Sequence, residues 1–246
     1  MTQLFGLALL IVAGILLIAL TLIKRKTPAA FRDIAPLTRL RRSAGMAVEE
    51  GTRLHVSLGR GSLIGQNGAS SLAGLALLRQ VSEQASVSDR PPLASAGDAS
   101  LAILSQNTLQ AAYKNAGAEE LYQPSNGRLT GLTPFSYAAG VMPLIRTEQI
   151  STNVLIGDFG PEAALLVDAA ERENALTIAA AADPSAQAVL FATASDPLAG
   201  EELFAAPAYT GRDASHRASL QAQDVLRWVL ILALLGSAAL KLVGAL

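Results

Sequence analysis

The chain has 246 residues, 51% of them apolar, 16% charged and 4% aromatic, with no cysteine. This composition excludes a disordered tail and a disulfide scaffold, and it leaves room for one compact domain beside the most apolar stretches. The formal net charge of −1 hides an asymmetry: residues 24–42 hold seven of the 19 Lys and Arg against one acid, whereas a nucleic-acid protein spreads its bases over a folded face, so no nucleic-acid partner is expected.

Residues 4–23 are twenty uncharged, almost wholly apolar residues, and as a helix they would cross about 30 Å of hydrocarbon. A cleaved signal peptide would carry its charge ahead of a shorter apolar run and a small-residue cleavage site behind it. The expectation is a transmembrane helix over 1–23. Lys24, Arg25, Lys26, Arg32, Arg39, Arg41 and Arg42 follow it closely, so the positive-inside rule puts the middle of the chain in the cytoplasm and both termini outside, in an inner membrane. Residues 24–50 read as a basic juxtamembrane elbow in which Phe31, Ile34, Leu37 and Leu40 recur at threes. Such a helix either lies along the membrane surface or forms a solvated elbow with Pro36 near its start.

Over 51–211, short apolar or β-branched runs ended by Gly, Asp or Ser alternate with helical patterns. The runs are 53–58, 92–96, 129–132, 153–156 and 176–180, with a stub at 197–199; helices are predicted at 70–84, 99–115, 135–148, 161–173, 185–193 and 201–209. Such βα repetition predicts an α/β fold, a Rossmann-like parallel sheet with helices on both faces. With 46 Ala and few aromatic residues, the helices should sit close to that sheet. From Ala214 no Gly or Pro interrupts the chain, so a stalk helix over 212–224 should run into a second span, 225–246, with Trp228 at its entrance and Lys241 near its exit. Gly14, Ala233, Gly236 and Ser237 would let the spans pack closely.

The loop after the first strand offers Gly59, Arg60, Gly61, Ser62 and Asn67 as candidate ligands for a phosphate or small anion. Glycines there admit close backbone approach, and Arg60 with a helix N-terminus supplies positive potential. The spacing is G-x-G-x-x-x-G with no G-K-[ST], which matches neither the dinucleotide fingerprint nor the P-loop. Asp98 and Asp158 follow other strands and would share the crevice, but acids at helix starts are also ordinary caps. Glu201 and Glu202 fall in a first helical turn, where they suit the dipole; with Asp158 they are the acids a metal-dependent enzyme would use. His55 alternates with apolar neighbours and is read as facing the polar side of an outer strand. His216 stands just before the apolar stretch. Two isolated histidines without cysteine predict no zinc site, and no cofactor is expected.

The segments Ser136–Met142, Asn153–Glu162, Gly200–Ala205 and Ser219–Asp224 resemble an uncharacterised family of bacterial two-span membrane proteins, a domain of unknown function. The resemblance spans nearly the whole cytoplasmic domain and implies that spans and domain form one unit; it carries no catalytic residues. The functional expectation is a scaffold or organiser whose cytoplasmic domains self-assemble into a homo-oligomeric ring or array against the lipid bilayer. The alternative is a membrane-tethered nucleotide or small-anion sensor using the loop 59–68.

Overall fold

The computed structural model describes residues 2–24, 32–65, 67–86, 88, 90–211 and 214–242. Residues 25–31 of the basic elbow, Gln66 of the glycine loop, 212–213 at the start of the expected stalk and 243–246 of the expected second span lie outside the described residues. The chain divides into two compact units, Met1–Arg32 with Arg212–Leu246, and Asp33–Gly211.

In the first unit, α1 (Thr2–Lys24) packs against α9 (Ala214–Leu242). Stalk and second apolar stretch are therefore one uninterrupted helix of 29 residues, about 43 Å long. Among the described residues, His216–Ala239 is the stretch that proves long and apolar enough to cross a membrane. Val225 and the large side chains from Trp228 through Leu235 are exposed.

The second unit is a parallel α/β sandwich. Its strands are β1 (Arg53–Gly59), β2 (Leu93–Ala96), β3 (Gly127–Leu129), β4 (Ile150–Asp158), β5 (Leu176–Ala181) and β6 (Asp196–Pro197). Between them run α3 (Gly68–Ala85), α4 (Ala99–Asn115), α5 (Pro134–Thr147), α6 (Ala163–Arg172) and α7 (Pro184–Thr193), with α2 (Ala35–Glu50) before β1 and α8 (Glu202–Thr210) after β6. The strand order is β3-β2-β1-β4-β5-β6, parallel throughout. It is the doubly wound order, which reverses direction between β1 and β4.

The period of two divides the central strands between two cores. Leu54, Val56 and Leu58 of β1 join Val154 and Ile156 of β4 and Ile178 of β5 under α2, α3, α4 and α8. On the other face, Leu93, Leu155 and Ala179 meet Tyr137, Val141 and Ile145 of α5 and Leu166 and Val167 of α6. Close packing is purchased with small residues. A Cβ on Gly74 of α3 would stand 2.7 Å from the Ile156 carbonyl oxygen, so this glycine lets the helix rest on the sheet.

Two sequence readings change here. Leu37, Leu40, Ala44 and Ala47 of α2 are buried in the first core, so the apolar stripe of the elbow covers the sheet and is not presented to a membrane surface. His55 is wholly buried on the central strand, not on the polar side of an outer one. Polar–apolar alternation marks a solvated face only where one side of the sheet is open, and helices cover both sides of β1.

Candidate functional site at the strand-order reversal

The loop from Gly59 to Gly68 leaves the carboxyl end of β1, beside the end of β4. Gly59 has φ +72°, and a Cβ there would collide with the Asp158 carbonyl; only glycine turns the chain here without strain. The Arg60 N–H then donates to the Asp158 carbonyl (2.9 Å), and the Gly97 N–H donates to the Gly59 carbonyl (2.8 Å). The ends of β1, β2 and β4 are thus stitched together, and Gly59, Arg60, Gly61, Asn67 and Asp158 do come together as the sequence suggested.

Their side chains bind one another. Arg60 Nε donates to Glu162 Oε1 (3.1 Å), which also accepts the Gly160 N–H (3.1 Å). The Glu162 side chain is 3% exposed. Asn67 stands at the N-cap of α3 but leaves that helix uncapped, because its amide donates to Asp158 Oδ1 (2.7 Å). The Ser71 hydroxyl donates to the Gly61 carbonyl (3.2 Å). Ser62 lies exposed on the loop, its carbonyl accepting the Gly65 N–H (3.1 Å).

Asp98 is a cap. It accepts the Leu101 N–H (3.1 Å) and a short bond from the Ser100 hydroxyl, and these hold its carboxyl below the usual carboxylate range, the serine contributing most. Glu201 precedes α8 beyond β6, two strand positions from β4, about 10 Å across the sheet. The carboxylate of Glu202 accepts the Ala199 N–H (2.8 Å). The structure therefore does not unite Asp158 with Glu201 and Glu202. Among the described residues no group of three or more His, Cys, Asp or Glu is placed to hold a metal ion.

Beneath the loop runs a buried polar relay that sequence reasoning missed. His55 Nδ1–H donates to Asn153 Oδ1 (2.8 Å), and its Nε2 accepts from the Ser95 hydroxyl (2.9 Å). Ser95 Oγ in turn accepts from the Tyr137 hydroxyl (3.0 Å), which accepts from the Ser57 hydroxyl (2.6 Å) and the Gly59 N–H (3.3 Å). The linked groups are all buried, and at the far end the Asn153 Nδ2 amide has no hydrogen-bond partner among the described residues. Burial pushes the His55 imidazole down to about 4, so it is neutral at physiological pH, and burial raises the Tyr137 phenol. The relay fixes the floor of the crevice from His55 to the turn at Gly59.

A doubly wound α/β domain with a glycine turn at its reversal point, joined to a helix able to cross a membrane, is the class these features define. The chain belongs to the family described as a domain of unknown function (DUF6754), whose model matches residues 2–246. No curated protein and no solved structure matches it.

Proposed function

We propose that this is a two-span membrane protein whose α/β domain lies on the cytoplasmic side and works by self-association, as a scaffold or organiser rather than a catalyst. One observation carries the reading. At the sheet edge where such folds hold ligands, the polar groups are engaged with each other, while the flanking loops and the first turn of α5 leave large apolar side chains bare. Ile64 is 97% exposed, Phe135 73% and Leu132 68%. Exposed apolar groups gathered on one edge suit a protein contact better than solvent. The apolar run 4–23, the basic residues behind it and the helix through Trp228 support two spans with the domain inside.

Native mass spectrometry from mild detergent tests this. A discrete homo-oligomer without extra mass is expected, and Leu132→Asp with Phe135→Asp should reduce it to monomer. A wild-type monomer overturns the reading.

A second reading, a nucleotide or small-anion sensor, is favoured by the position of the glycine loop at the strand-order reversal. It requires a ligand whose addition raises the melting midpoint, and Ser62→Trp, at an exposed loop position, should remove that shift while leaving the ligand-free midpoint unchanged. A panel of nucleotides and phosphates that never moves the midpoint removes the sensor.

A further inference from the structure

The chain enters the Asp33–Gly211 unit through α2 and leaves it through α8, and these two helices pack together on one face of the sheet. With its stripe of Leu37, Leu40, Ala44 and Ala47 buried, α2 turns Thr38, Arg41, Arg42, Gly45 and Met46 outward, all exposed. Arg39 is engaged with Asp196 (2.6 Å). Arg41 and Arg42 have no acidic partner among the described residues. The acids on this helix, Glu49 and Glu50, lie two turns further on at its C-terminal end, about 10 Å from Arg42 along the axis.

Two unpaired guanidiniums beside a thioether fit an extended anionic surface, and the tethers say which one is within reach. Ten residues separate Lys24 at the end of α1 from Ala35 at the start of α2, and fully extended they cover no more than about 35 Å. Two residues separate Gly211 from Ala214 of α9. Resting on the two-span reading, both connections leave the domain from the α2–α8 layer and keep it beside the bilayer.

We infer that the outward face of α2, through Arg41 and Arg42 with Met46 between them and the helix end, docks the domain onto anionic lipid headgroups of the membrane that anchors it. The attraction is coulombic, without insertion of the helix, because its apolar side is already buried in the domain. It is therefore sensitive to salt. Each arginine near an anionic leaflet favours the docked state roughly fivefold, so the pair shifts the balance by roughly 25-fold.

The chain has no cysteine, and nothing lies within 4 Å of a Cβ built on Gly45, so Gly45→Cys accepts one fluorophore on this face. The full-length protein is placed in nanodiscs of phosphatidylcholine, or of phosphatidylcholine with phosphatidylglycerol, each carrying a headgroup quencher. Quenching is expected to be about threefold stronger in the anionic discs and to fall to the neutral level at roughly 0.5 M salt. The Arg41→Glu, Arg42→Glu variant should behave in anionic discs as the parent does in neutral ones. A label at Ser125→Cys, exposed before β3, should ignore lipid charge. Equal quenching in both lipids, or quenching that survives charge reversal, overturns the docking alone. Failure to enter the discs overturns the two-span reading and the docking with it.

Discussion

His55 shows how far a single residue is determined by its surroundings. Its folded state binds no proton until pH falls toward 4, whereas in the unfolded chain the imidazole titrates near 6.5. Because the folded value is the lower one, the contribution of His55 is complete above pH 6.5 and is lost as pH falls toward 4, about 3 kcal/mol over the interval. Urea midpoints at pH 7 and pH 4.5 should fall more steeply in the native protein than in His55→Gln. Arg60→Ala would leave the buried carboxylate of Glu162 with the Gly160 N–H as its donor but without its guanidinium partner, at a cost of about 2–3 kcal/mol by urea denaturation. Both effects were illegible in the sequence. His55 shares its alternation pattern with a solvated strand, and Glu162, directly after Pro161, looks like any acid in a first helical turn. The signal that distinguishes them is that helices cover both sides of the sheet, a fact of tertiary structure.

At the scale of elements, the βα alternation was readable because each run of apolar residues ends in a turn former. All six strands and the helices between them appear, though β3 lies at 127–129 instead of 129–132. A glycine at the start of that strand, packed against Ser105 and Gln106 of α4, carries no hydrophobic signal. The partner of α2 was not readable. An apolar stripe at helical spacing looks the same whether it meets a sheet or a lipid surface. The two cases differ in energy: Leu40, 1% exposed, should cost about 2–5 kcal/mol as Leu40→Ala, a loss expected of a core residue and not of one resting on lipid. On the outer side of the same helix, Gly45→Ala should raise stability by up to about 1 kcal/mol, read as a shift in thermal midpoint.

For the whole molecule, the strand order has consequences beyond where a ligand would sit. The central strand, β1, pairs with β4, and His55 meets Asn153 98 positions later in the chain. At about 5–20 residues per second of synthesis, β1 waits on the order of 5–20 s for that neighbour. During the wait, Leu54, Val56 and Leu58 belong to a strand with an open edge, a state prone to pairing with other chains. Ribosome-arrested chains exposing residues only as far as Glu148 should therefore be cut readily by protease, and those exposing β5 as well should resist it. The order of the strands thus makes the timing of translation part of how the protein avoids aggregation.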